Sequence, residues 1–138
     1  MPQLNAYLNF DGNCAEAMRF YQQVFGGKLY LMTQGESPMA AQLPKEGAGR
    51  ILHATLEFDG NTLMAADTMI GMPYSGMHGF GLALGVADAA AAQKLFEALA
   101  PGGKIGMPLQ KTFWAEAFGM LTDRYGTPWM VNGGGTTT

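Results

Sequence analysis

The chain has few of the residues on which most function classes depend. A single cysteine, Cys14, stands among 138 residues, which excludes an intrachain disulfide framework and fits a reducing compartment. The two histidines, His53 and His78, are too few for a His-rich ligand cluster. Charged residues make up only 14% and the net charge is −3. No Lys/Arg cluster exists to neutralise phosphates, so no nucleic-acid partner is expected. No apolar run nears the roughly 20 residues a bilayer span needs, and no charged-then-apolar leader is read at the start. The expectation is a cytoplasmic protein with no membrane partner. No Gly-x-Gly-x-x-Gly follows a strand to open a helix, and neither Ser37 nor Ser75 lies in a Gly-x-Ser-x-Gly setting. Neither a dinucleotide nor an S-adenosylmethionine site is supported, and no cofactor is expected.

What the chain has is a hydrophobic content of 48%, with 20 glycines and 11 methionines. That is enough apolar surface for one globular domain over residues 1–138, the methionines serving as adaptable filler. Above all the chain repeats itself. The segment from Phe20 through Gly26-Gly27-Lys28 to Leu29 is echoed 76 residues on, from Phe96 through Gly102-Gly103-Lys104 to Ile105. The same offset carries Leu8 onto Leu84 and Phe10 onto Val86. Two copies are too few for a solenoid. They predict one domain made of two related modules, about 3–67 and 80–132, with a connector at 68–79 and a frayed tail at 133–138.

Within the first module Leu4, Ala6, Leu8 and Phe10 alternate with Asn5, Tyr7 and Asn9, a half-buried strand. Asp11-Gly12-Asn13 ends it and can cap a helix whose apolar stripe is Ala17, Phe20, Tyr21, Val24 and Phe25. Gly26-Gly27 stops that helix. A strand follows over 28–33, then a Gly- and Pro-containing loop over 34–49 that reads as a mobile lid or rim. Residues 51–58 alternate, with His53, Thr55 and Glu57 on one face. Asp59-Gly60-Asn61 predicts a tight hairpin into a strand over 62–66. The second module predicts a strand at 80–86 and a helix from an Asp88 cap to Ala100, with Ala92, Leu95, Phe96 and Leu99 as its stripe. Strands at 104–110, 118–122 and 128–132 follow, with an aromatic loop or edge at 112–116. The order is β-α-β-β-β, twice: an α+β fold of paired modules forming a curved mixed sheet with a concave, partly polar cup.

That order, together with the strings Tyr7-Leu8-Asn9-Phe10-Asp11-Gly12-Asn13-Cys14, His53-Ala54, Gln110-Lys111-Thr112-Phe113-Trp114 and the long closing string Phe118 to Asn132, resembles the vicinal oxygen chelate superfamily of glyoxalase I, bleomycin-resistance proteins and extradiol dioxygenases. Within it the chain looks like the PhnB-like group, some members of which are labelled 3-demethylubiquinone-9 3-methyltransferase. The resemblance covers roughly residues 3–132. It implies the paired-module fold and a homodimer, but no particular reaction, because one scaffold hosts many chemistries. Metal-dependent members hold a divalent ion from four strands. Carried over, those positions fall on Asn5, Met64, Gly81 and Met130, none of them a carboxylate, imidazole or thiolate. No metal is expected at these positions.

The remaining candidates are polar and aromatic. His53 reads either as a structural histidine or as a general base in the cup. Tyr7 and Asn9 face the cup on the first strand. Gln110, Phe113, Trp114 and Glu116 form a polar-aromatic cluster, in which Trp114 either lines a ligand pocket or packs at a dimer interface. Glu116 is either a solvated charge or a carboxylate able to polarise His53. Trp129 reads as core, and Cys14 as packing at a helix start rather than as an activated thiol. Three functions remain open: a metal-independent binder of a small, partly aromatic molecule, an enzyme using His53 as base, and a dimer whose aromatics bind no ligand.

Overall fold

The computed structural model describes residues 2–135, and the β-α-β-β-β order occurs in it twice. The first copy has β1 (Ala6–Phe10), α1 (Cys14–Phe25), β2 (Lys28–Thr33), β3 (Ile51–Phe58) and β4 (Asn61–Asp67). The second has β5 (Leu82–Val86), α2 (Ala89–Leu99), β6 (Lys104–Gln110), β7 (Ala115–Thr122) and β8 (Pro128–Gly135). Hydrogen bonding divides the strands into two four-stranded mixed sheets, ordered β1-β4-β3-β2 and β5-β8-β7-β6. In each, the first strand of the module lies parallel to the last, and the other neighbours are antiparallel. By contacts the chain divides into two compact units, Met1–Gly76 and Met77–Thr138.

In the first unit Leu8, Ala54, Leu56, Leu63 and Ala65 turn to one face and are buried, where α1 packs against β2, β3 and β4. The buried stripe of α1 is Cys14, Ala17, Met18 and Tyr21, spaced at three and four residues as one helical face requires. This stripe is rotated from the expected one, with Phe20, Val24 and Phe25 only partly buried. In the second unit Ala92, Phe96 and Leu99 of α2 are buried against β7 and β8. Glycine sets the closeness of that contact: a Cβ on Gly119 would meet the Phe96 ring at 2.8 Å, and one on Gly133 would meet the Ala92 Cβ at 2.7 Å.

The repeated Gly-Gly-Lys has a steric cause. Gly26, Gly27 and Gly102 have positive φ, which turns the chain out of each helix. A Cβ on Gly27 would run into the Glu57 carbonyl, and one on Gly103 into the Thr122 carbonyl. Those are the residues in register with Lys28 and Lys104. The second glycine of each pair thus admits the incoming strand against its neighbour's backbone.

Four expectations are corrected. Leu4 precedes β1 and is 99% exposed, because the ladder between β1 and β4 begins only at Ala6 opposite Leu63. The 34–49 loop is built rather than open: Gln34 N–H donates to the Arg50 carbonyl at 2.8 Å and Gly35 N–H to that of Ala48 at 2.9 Å. Two short 3₁₀ turns, Ala40–Gln42 and Lys45–Gly47, satisfy its interior backbone. β7 begins at Ala115, which confines the aromatic loop to a tight turn. Finally, β8 continues to Gly135, pairing Gly133 with Ala117 and Gly135 with Ala115. Residues 136–138 of the expected tail lie outside the described residues.

The Gly27 contact and the Asp59-Gly60 turn separate strain from collision. Gly60 has φ +80 and open space around its Cβ position, so Gly60→Ala should cost about 1 kcal/mol in urea unfolding, the left-handed backbone penalty alone. Gly27→Ala adds a clash with backbone and should cost at least about 2 kcal/mol.

Candidate functional site

The face of the first sheet opposite α1 carries the polar residues. Register places Tyr7 beside Met64, Met64 beside Thr55, and Thr55 beside Tyr30. One step along the strands, Asn9 pairs with Ala66 and His53 with Met32. Alternation along each strand puts these side chains together while their neighbours enter the core.

His53 is held at both ring nitrogens. Its Nε2 lies 2.9 Å from the Thr55 hydroxyl and its Nδ1 3.3 Å from the Tyr7 hydroxyl. The Tyr7 and His53 rings are inclined at 34° with centroids 5.8 Å apart. Burial, with Cys14 nearby, raises the Tyr7 phenol above its ordinary pKa, so its proton stays on the oxygen. Among the described residues His53 makes no hydrogen bond or ion pair to a carboxylate. This is a hydroxyl–imidazole–hydroxyl chain, without the acid that orients a catalytic histidine.

Asp67 at the end of β4 holds the frame beneath it. One of its oxygens accepts from Gly12 N–H at 2.7 Å and Cys14 N–H at 3.0 Å, and the other from Ile51 N–H at 2.8 Å. Within the Asp11-Gly12-Asn13 segment expected to cap α1, Asn13 occupies the cap position and makes no side-chain capping bond. Arg50 donates to Asp11 at 2.7 Å and to the Thr68 carbonyl at 2.8 Å. Tyr74 of the connector donates to the Asn9 carbonyl at 2.7 Å, on the outer edge of β1.

In the second unit Thr112 N–H donates to the Ala115 carbonyl and Ala115 N–H to the Thr112 hydroxyl, both at 3.1 Å. This turn carries Phe113 and Trp114 at its tip, 96% and 37% exposed. Trp114 meets Phe118 edge-on, with ring centroids 5.2 Å apart. Gln110 is exposed on the edge strand in register with Phe118. Glu116 braces a helix start, its carboxylate accepting from Ala89 N–H of α2 at 3.1 Å. Asp88 caps the same helix through Ala91 N–H at 2.8 Å, as expected. Trp129 is core, its indole donating to buried Asp123 at 2.8 Å. His78 lies in the connector, outside the strands and helices.

The structure thus brings Tyr7 and His53 together, adjoining Asn9, in the first unit. It gathers Phe113 and Trp114 in the second, with Gln110 at the nearby edge. Sequence reasoning missed two residues. Thr55 is the partner of His53, visible only as the next same-face residue of the strand. Asn132 stands between Gly85 and Phe118, and its buried side-chain oxygen has no hydrogen-bond partner among the described residues.

Residues 2–132 match the family described as 3-demethylubiquinone-9 3-methyltransferase. The chain belongs to that family. It is 38% identical to protein YjdN of Escherichia coli K12 over 138 residues, covering 94% of this chain and 93% of that one. The crystal structure of protein PA1353 from Pseudomonas aeruginosa is 44% identical with a TM-score of 0.89, covering 97% and 98% of the two chains. A putative 3-demethylubiquinone-9 3-methyltransferase, PhnB protein, from Bacillus cereus is 24% identical with a TM-score of 0.77, covering 96% and 99%. The glyoxalase-like fold is shared with a glyoxalase/bleomycin resistance protein/dioxygenase family enzyme from Burkholderia phytofirmans at 19% identity and a TM-score of 0.62, over 93% of this chain and 96% of that one. These likenesses show the glyoxalase-like fold that the sequence resemblance implies.

The four positions to which the resemblance points do not fit a metal here. Asn5 precedes β1, and Tyr7 rather than Asn5 stands beside Met64. Ala83 rather than Gly81 stands beside Met130. A Cβ on Gly81 would meet the Met130 methyl at 3.1 Å, so that glycine makes room for a thioether. Among the described residues no group of three or more His, Cys, Asp or Glu converges. Hard and borderline divalent ions need such donors. No helix among the described residues is long and apolar enough to cross a membrane.

Cys14 is buried at the base of this frame, and burial with Asp67 nearby pushes its thiol up to about 12. The thiolate is the reactive form. Native protein at mildly alkaline pH should leave Cys14 unmodified by a disulfide reagent, and unfolding should release one reactive thiol per chain. Rapid labelling of the native state would contradict this placement.

Proposed function

We propose that this PhnB-like protein binds a small, partly aromatic molecule without a metal, with the Tyr7–His53–Thr55 face as its polar contact. One observation carries the reading: both nitrogens of His53 are engaged by neutral hydroxyls on a sheet face where Tyr30, Met32 and Met64 supply apolar surface. A general base would need a nitrogen free for the substrate proton and a group to stabilise the charged ring. Hydroxyls that accept as readily as they donate suit recognition better. Aromatic rings and thioethers are adaptable walls for a flat ligand. Within the second unit, Phe113 and Trp114 form an aromatic surface in their own right, with Gln110 on its edge strand.

The methyltransferase description that accompanies the family is not adopted for this chain. Among the described residues no glycine-rich loop leads from a strand into a helix, and the Gly26-Gly27 and Gly102-Gly103 pairs follow helices rather than precede them. The helix starts are occupied by the chain's own carboxylates, Asp67 at α1 and Asp88 with Glu116 at α2, leaving neither free for an anionic group. A homodimer and a cytoplasmic location complete the proposal. Phe113, nearly fully exposed, is the side chain that a second copy would cover, and native mass spectrometry of untagged protein reads both dimer mass and any small molecule carried along.

The test is an aromatic-fragment screen by amide NMR, followed by substitution. Tyr7→Phe and His53→Ala should each weaken a bound fragment about three- to tenfold, the value of one hydrogen bond, with Tm nearly unchanged in Tyr7→Phe and lowered only slightly in His53→Ala, which leaves the Thr55 hydroxyl unpaired. Full affinity in His53→Ala, combined with lost turnover of some substrate, would reject the binder in favour of an enzyme.

A further inference from the structure

The chain Tyr7–His53–Thr55 has a direction. A neutral imidazole carries one N–H and one lone pair, so two proton arrangements are available. In the first, Thr55 donates to Nε2, Nδ1–H donates to the Tyr7 oxygen, and the Tyr7 proton points away from the ring. In the second every donor is reversed, and the Thr55 proton points away. Three observations select the first. The Thr55 contact is the shorter, 2.9 Å against 3.3 Å, and O–H donors make shorter bonds than N–H donors. Thr55 is half-buried between Tyr30 and Met64, and among the described residues its hydroxyl has no partner but His53. Reversal would leave its proton, on a half-buried side chain, with no acceptor among the described residues, and an unpaired donor grows more costly as water is excluded. Tyr7 is 47% exposed, so its outward proton has somewhere to go.

We infer that Thr55 is a positioning residue that fixes His53 as its Nδ1–H tautomer, so that Tyr7 donates to the ligand and the site selects an acceptor oxygen, that of a carboxylate, enolate or carbonyl, over an ammonium group. The ligand class rests on the binding function proposed above; the tautomer does not. Thr55 gives its one proton to His53 and so donates none to the ligand. It acts through two hydrogen bonds, each passing on the polarity of the last. The raised pKa of Tyr7 fits this role, because the phenol keeps the proton it offers.

Long-range ¹H–¹⁵N NMR of the imidazoles in mildly alkaline buffer reads the tautomer without any ligand. Wild-type protein should show His53 protonated at Nδ1. Thr55→Val should move the proton to Nε2, and Thr55→Ser, which keeps the hydroxyl, should restore Nδ1–H. Benzoate should bind at least about fivefold more tightly than benzylammonium, and Thr55→Val should erase most of that preference. A wild-type Nε2–H signal overturns the inference and leaves the binder standing, and it decides the matter even where Thr55→Val fails to fold. A tautomer that ignores Thr55→Val overturns it equally. An Nδ1–H signal that neither probe perturbs at millimolar concentration overturns the ligand class and the binding function with it.

Discussion

The Asp67 carboxylate is the contact on which the first unit depends. It joins the turn after β1, the first residue of α1 and the start of β3 to the end of β4, through three backbone N–H groups. Each of those donors lies outside the ladder between β3 and β4: Gly12 in the turn before α1, Cys14 at the helix start, where the first four N–H groups lack intrahelical partners, and Ile51 beyond the end of that pairing. Hydrogen bonds to a carboxylate are stronger than neutral ones, and a buried donor left unpaired costs about 1–3 kcal/mol. The functional consequence is geometric. Tyr7 on β1 and His53 on β3 are separated by the whole width of β4, and their hydroxyl–imidazole contact survives only while β1 and β3 keep their places on that strand. Asp67 clamps both at the same end.

The two units share a strand order and register, though Gly133 stands where the first unit has Asp67, and they differ in what they mount on it. Where the first unit sets Tyr7, Met64 and Thr55 in one cross-strand row, the second sets Ala83, Met130 and Met120, with Met107 next in register. At the place of His53 beside Met32 stands Phe118 beside Gln110. The glycine stops and the helix-facing core repeat because steric rules enforce them, as the Glu57 and Thr122 carbonyls do at Gly27 and Gly103. Nothing in the packing requires the open faces to match, so chemistry has diverged there: hydroxyls and imidazole in one unit, thioethers and aromatics in the other.

This division also decides what is legible in the sequence. The strands, the Gly-Gly stops, the Asp59-Gly60 turn and the Asp88 cap are written in local residue order, and reading them requires only period and turn chemistry. The resemblance to the PhnB-like group rests on equally local strings. The α1 stripe is misplaced by pattern alone because an amphipathic helix with aromatics on both flanks supports two nearby apolar faces, and the sheet chooses between them. The capping roles of Asp67 and Glu116 escape a reading that seeks caps beside each helix. Their partners lie 53 and 27 residues away. The Tyr7–His53 pair crosses 46 residues, and only the register of three strands reveals it. His53 stands out as a rare residue type; its orientation by Thr55 does not.

A face that recognises through hydroxyls has modest means, and this constrains the ligand. Each neutral hydrogen bond contributes about 0.5–1.5 kcal/mol net, and apolar burial about 25 cal/mol per Å². A benzoate-sized molecule giving up roughly 100 Å² of apolar surface on Tyr30, Met32 and Met64 gains about 2.5 kcal/mol from burial. With one bond to Tyr7 the total reaches only the millimolar range. Tighter binding demands more buried surface, since the polar chain has a single outward proton to offer. The same chain then sets orientation: it places the oxygen of a larger aromatic ligand at Tyr7 and leaves the thioether and aromatic surfaces to supply most of the affinity. Polar contacts that contribute little energy and much orientation are the usual division of labour in a mostly apolar site, and here the orientation traces back through His53 to the half-buried hydroxyl of Thr55.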